Sequence, residues 1–160
     1  SVIEPITILL SENDDFLKPD QFSLVCKLCS ELKTPAIEYR IMLEAYRALR
    51  VDDHRKVIIE SAAVAELVLT KIIQAELTKS GITFAGGLLK KFRMLQGRFD
   101  LARLIGIQLP ARDYKSILID PRNNVVHRAN FSDKAEALKV VAAVEELLTL
   151  FSPDVAENEI

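Results

Sequence analysis

Excess charge of either sign is absent: 21 Lys and Arg stand against 23 Asp and Glu, a net charge of −2. No global basic field advertises nucleic-acid binding, so any such contact has to come from a local patch. Long apolar runs are absent too. Nothing approaches the roughly 18 uncharged residues of a membrane-spanning helix, and no membrane insertion is expected. Tryptophan is missing and aromatics make up only 6% of the chain, so base stacking is not evident from the sequence. Cysteine is limited to Cys26 and Cys29. A zinc site wants about four ligands, and no second pair accompanies this C-x-x-C. A thioredoxin-like pair wants a strand before it, whereas Phe22, Val25, Cys26, Cys29 and Leu32 fall at helical spacing. The cysteines therefore read as a packed helix face in a reducing, cytoplasmic compartment.

What is present is core-forming matter. Hydrophobic residues are 49% and charged residues 28%, enough for a packed core and too apolar for a disordered chain. Residues 1–35 stand apart as an N-terminal arm or the edge of an upstream domain. Val2, Ile3, Ile6, Ile8, Leu9 and Leu10 are β-prone there, and Pro19 opens a short helix ending near Lys33. The chain reads as a piece, C-terminal, of a longer protein. From 36 to 151 the spacing predicts an all-α bundle of four or five helices, followed by a frayed acidic tail over 152–160. Ile37, Ile41, Ala45, Ala48 and Leu49 share one face. Asp52 or Asp53 caps a long helix that runs to Ser80 and stops at Gly81. Its middle, from Val57 to Leu69, is apolar almost all round, which marks a central helix. One helix is predicted from Leu88 to Ile105, with Gly97 marking a close backbone approach, and another from about Arg112 to Leu118. Ser132 is the expected cap of the last helix, which shows Ala137, Val141, Val144, Leu148 and Phe151 at helical spacing.

Between those last two helices lies Asp120-Pro121-Arg122-Asn123-Asn124-Val125-Val126-His127-Arg128. Arg122, Asn123 and His127 place a cation, an amide and a titratable imidazole within two helical turns. Arginine binds phosphate oxygens through a planar fork that stays charged, and histidine moves protons near neutrality. Asp120-Pro121 reads as a cap followed by a first helical position, which puts Arg122 and Asn123 where free N–H groups favour a phosphate. Arg122 and His127 are five apart, so on a regular helix they diverge by about 140°. Either the arginine swings back or the helix loosens near His127. The plainer alternative is that both merely bind carboxylates and carbonyls within the bundle.

Arg122-Asn123-Asn124-Val125-Val126-His127, followed by a capped terminal helix, resembles the signature of the HEPN superfamily, small bundles of four or five helices. The alanine-rich stretch Ala62-Ala63-Val64-Ala65-Glu66-Leu67 is similar to that family's long helix, with Glu66 where members often carry an acidic residue near the motif. The resemblance spans about residues 37–151; the Asp-Pro before the arginine is less usual for the family. It implies a metal-independent endoribonuclease acting as a homodimer, with Arg122, Asn123 and His127 as the catalytic set, and it admits a place in a toxin or defence system with a cognate antitoxin. The alternative is a non-catalytic HEPN module for dimerisation or for binding a ligand or RNA. No cofactor and no metal are implied. Chemistry agrees with the need for two copies: cleavage through the RNA's own 2′-hydroxyl takes a base and an acid, and each motif supplies one histidine.

Around the motif, Arg112, Lys115 and Arg128 form a local basic cluster that suits RNA. Lys90, Lys91, Arg93, Arg98 and Arg103 form a second, which reads either as a backbone track or as a solvated helix face. Tyr39, Tyr46 and Tyr114 read as partly buried edges of the core, with Tyr114 also a supporting candidate because it precedes the motif. His54 reads as an exposed first-turn residue.

Overall fold

The computed structural model describes residues 36–127 and 132–151; the expected N-terminal arm, Cys26, Cys29, Arg128 and the acidic tail lie outside them. Asp53 starts the helix on which the others are hung. Its carboxylate accepts the Lys56 N–H at 3.0 Å, satisfying one of the free donors of a first turn. The preceding helix, α1 (Ile37–Arg50), turns into it through Asp52, whose φ of +54° is the left-handed conformation that aspartate tolerates better than most residues. The capped helix, α2 (His54–Lys79), ends as expected: Gly81 has φ +72°, and the Ile82 N–H closes back on the Leu77 carbonyl at 2.9 Å.

α2 is buried over most of its girth. Val57, Ile58, Val64, Val68, Leu69, Ile73 and Leu77 are closed to solvent, and Ala62 and Ala65 sit between them. Each fully buried large aliphatic contributes about 1.5–3 kcal/mol of burial. Leu67 is an exception: it is half-buried and lies outside the core cluster.

The remaining elements are α3 (Ala85–Lys91), α4 (Leu95–Leu104), a π-helical turn (Lys115–Ile119), α5 (Asp120–His127) and α6 (Lys134–Phe151). All of them pack against α2, with α1 and α6 making the widest contacts. The described residues are an all-α bundle and contain no strand.

Three expectations change in detail. The helix foreseen from Leu88 to Ile105 is two, α3 and α4, broken at Phe92–Met94. Gly97 faces the elbow: a Cβ there would stand 3.4 Å from the Phe92 Cα, an ordinary contact, so the break does not depend on glycine at this position. The cap of α6 is Asp133 rather than Ser132, since its carboxylate accepts the Glu136 N–H at 2.7 Å.

The third change concerns Pro121. Asp120 is no cap; its φ of −66° and ψ of −46° are helical, and the chain runs as one helical path from Lys115 to His127. A proline inside a helix lacks a donor and clashes with the carbonyl four residues back. The turn ahead of it widens instead, and the Asp120 N–H donates to the Lys115 carbonyl five residues away.

Side-chain ties fix the helices against one another. Glu38 on α1 is fully buried, and both its oxygens accept from Lys71 Nζ on α2, at 2.7 and 2.6 Å. Tyr46 on α1 donates to Glu145 on α6. Arg112 grips Glu146 on α6 with two parallel bonds.

Substitutions separate these layers. Leu69→Asp and Leu148→Asp, each placing an unpaired charge among buried residues, are expected to abolish cooperative folding. Phe99→Ala is expected to cost about 3–5 kcal/mol. Leu67→Asp is expected to leave a cooperative transition close to wild type. Urea titrations followed by circular dichroism check all four, and equal midpoints for the 67 and 69 variants would contradict the assignment.

Candidate functional site

α5 docks through Pro121 and Val125, both buried, and this sets what the rest of its circumference does. Arg122, Asn123 and Asn124 fall on half-buried flanks, while Val126 and His127 face solvent at the end of the helix. Arg122 Nη1 donates to Asn123 Oδ1 at 3.1 Å. The guanidinium is thus held by its neighbour, with donors left over. His127 lies five residues on, about 7.5 Å further along the axis at the α-helical rise. The helix is regular from Asp120 to His127, and the widened turn precedes the motif; Arg128 and Asn130, the residues expected to loosen it, lie outside the described residues. Arg122 and Asn123 are therefore brought together, and His127 stands apart from them on the same helix.

The free N-terminus of this helical path is not at Arg122. It lies at Asp113, whose carboxylate accepts the Ser116 N–H at 3.3 Å and is held below its ordinary pKa chiefly by its hydrogen bond to Ser116.

The supporting residues distribute around this helix. Tyr114 is buried and stacked on Phe99, with ring centroids 4.6 Å apart and an interplanar angle of 22°. Its hydroxyl has no hydrogen-bond partner among the described residues. Burial, with the Glu146 carboxylate nearby, pushes its pKa up to about 12, against the opposing effect of Arg112 and Arg103. Glu66 is half-exposed on α2 and lies 3.6 Å from Arg98 Nε on α4. Arg112 is committed to Glu146: its own pKa is raised and that of Glu146 lowered by their hydrogen bonds. Lys115 is exposed at the first position of the π turn.

Several features carried no signal in the sequence. His54 is not an exposed first-turn residue: its side chain is 18% exposed, its Nε2 is buried without a hydrogen bond, and Asp52 Oδ1 is 3.5 Å away. A cleft of about 550 Å³ lies in the loop between α4 and the π turn, lined by Arg103, Ile107, Leu109, Arg112 and Asp113 among others. A flatter depression follows Lys71 to Lys79. Arg122, Asn123 and His127 line neither. The Glu38–Lys71 and Tyr46–Glu145 ties also went unforeseen, because pairing across helices follows from bundle topology rather than local spacing.

Among the described residues, no three His, Cys, Asp or Glu side chains gather to hold a metal ion, and no helix is long and apolar enough to cross a membrane. Comparison of the chain with family models, curated proteins and solved structures gives no match.

The tyrosine carries a pH dependence. Folded Tyr114 holds its proton up to about 12, while an unfolded tyrosine releases it near 10. Between those values the unfolded state binds fewer protons, so stability falls as pH rises through the window. Tyr46, whose pKa is raised by burial and by Glu145, acts in the same direction. Urea midpoints between pH 10 and pH 12 should decline for the wild type and decline less for Tyr114→Phe. At neutral pH Tyr114→Phe should be neutral or stabilising, since it removes a buried hydroxyl with no partner.

Proposed function

We propose that residues 37–151 form a HEPN-type domain and that the protein is a metal-independent endoribonuclease acting as a homodimer. The observation that carries this reading is the division of labour along α5. Arg122 is anchored by Asn123, while His127 is exposed at the helix end. An anchored cation suits charge stabilisation, and an imidazole open to solvent suits proton transfer.

In this reading the RNA supplies its own nucleophile. One His127 takes the proton from a ribose 2′-hydroxyl, and the 2′-oxygen attacks the adjacent phosphorus. The bond to the 5′-oxygen breaks, and that oxygen takes a proton from the second copy's imidazolium. The products are a 2′,3′-cyclic phosphate and a free 5′-hydroxyl. Arg122 stabilises the charge that builds on the equatorial oxygens, and Asn123 keeps the guanidinium in place. Two features of the single chain support a composite site. The motif residues line neither the cleft nor the depression described above, and Val126, beside His127, leaves an apolar side chain exposed at the same helix end. A role as effector of a toxin or defence system, with a cognate antitoxin, belongs to the same proposal, as does a cytoplasmic location.

A non-catalytic HEPN module for dimerisation or ligand binding is the second reading. It is favoured by the divergence of Arg122 and His127 by about 140°, which keeps them from converging on one phosphate within one chain.

Cleavage of several RNAs in the presence of EDTA, at matched dimer content, separates the two. His127→Ala is expected to lower the rate by about 10²–10⁴-fold with an unchanged melt. Arg122→Ala should also be impaired, with dimerisation retained. Wild-type activity that survives His127→Ala would sink the nuclease assignment. No cleavage by any variant on any RNA would leave the binding module.

A further inference from the structure

From Leu77 to Phe99 the chain carries Lys79, Lys90, Lys91, Arg93 and Arg98 and not one aspartate or glutamate, although the whole protein is net acidic. The fold sorts these cations. Arg98 is 12% exposed and paired with Glu66 at 3.6 Å, and beyond this stretch Arg103 stands 3.8 Å from Asp100. Lys90, Lys91 and Arg93 remain exposed, with no carboxylate partner among the described residues. They lie on α3 and the elbow after it, a shelf that buries no residue fully. Two apolar side chains bracket them: Phe84 at 63% exposure and Met94 at 59%.

An uncompensated run of cations beside an open aromatic ring fits a polyanion that also presents flat faces. Single-stranded nucleic acid does both, because every base offers a π-face whatever its sequence. A lipid surface fits less well. An interfacial helix needs a continuous apolar face, whereas Leu88, Leu89 and Phe92 are turned against the core. Phe84 and Met94 alone protrude from the shelf, one just before the seven-residue helix and the other past the elbow that follows it.

We propose that the α3 shelf is a binding platform for single-stranded RNA, with Phe84 stacking on a base and Lys90, Lys91 and Arg93 neutralising backbone phosphates. The choice of RNA as the polymer rests on the reading of α5 above; the platform itself does not depend on cleavage. It supplies the aromatic contact that the sequence did not reveal, since nothing in the spacing of Phe84 says that its ring is exposed.

The test is fluorescence anisotropy of a labelled oligouridine on the full chain, in a His127→Ala background with EDTA so that the probe stays whole. Phe84→Ala should weaken binding about 5- to 150-fold, the range of a lost base stack, without changing the salt dependence. Replacing Lys90, Lys91 and Arg93 together with Gln should weaken it further and flatten the log-log salt slope by about 2, at roughly 0.7 per phosphate. Circular-dichroism melts should be unchanged, because all four side chains are exposed. Wild-type affinity in either variant would overturn the platform. So would tighter binding to the duplex than to the single strand, or binding only to anionic phosphatidylserine vesicles. Oligouridine binding by a wild type that cleaves nothing keeps the platform and removes the nuclease. Cleavage and binding indifferent to the triple substitution do the reverse.

Discussion

The burial of α2 on most of its sides is the constraint from which the bundle follows. A helix of 26 residues with apolar side chains around its girth cannot be covered by one neighbour. α1, α4, α5 and α6 each take a flank, and small residues govern how near they come. Ala62 and Ala65 on α2, Ala45 and Ala48 on α1, and Ala137 and Ala143 on α6 are all buried. Such side chains let helix axes approach while the intervening valines and leucines fill the remaining volume.

The polar ties then choose one arrangement among those that would bury similar area. Glu145 and Glu146 are neighbours on α6, and successive residues on a helix point about 100° apart. One is held by Tyr46 on α1 and the other by Arg112 ahead of the π turn, so α6 has a single rotational setting. The Arg112–Glu146 pair is partly exposed and worth little as an isolated charge interaction, but its two parallel bonds give it direction. Arg112 and Tyr114 also lead directly into the turn that feeds α5. The candidate site is thereby placed from upstream, by a stacked tyrosine and a clamped arginine, more than by contacts of Arg122 or His127 themselves.

Much of this was legible from local rules. Asp53 and Gly81 mark the ends of α2 because capping and left-handed conformation are written in single residues, and apolar spacing identified the core of α6. What was not legible depended on distant geometry. Asp120-Pro121 reads as a helix start wherever a chain can choose, yet here the path from Lys115 is already packed through Leu118 and Ile119, and the backbone widens rather than breaks. Gly97 was read as the mark of a close approach, yet a Cβ there would meet Phe92 only at ordinary contact distance, and the break at Phe92–Met94 that divides one expected helix into two had no such signal. Leu67 fits the apolar pattern of α2 but falls at a gap between neighbours. At the site, the residue types and their helix were readable, while the pairing of Arg122 with Asn123, the inward turn of His54 and the commitment of Arg112 to Glu146 were not.

The place of α6 in the topology bears on how the chain comes to life. Its Val140, Val144 and Leu147 are buried, and α2, made some sixty residues earlier, is packed against it. Until α6 has left the ribosome, α2 exposes a flank that nothing else covers. α1, α4 and α5 can pack on α2 as they emerge, but the flank that α6 covers closes only in a late, long-range step. Under the proposed activity this is a built-in delay: a chain whose α6 has yet to emerge stays harmless to the message it is being read from, and catalytic competence waits for that helix and for meeting a second finished copy.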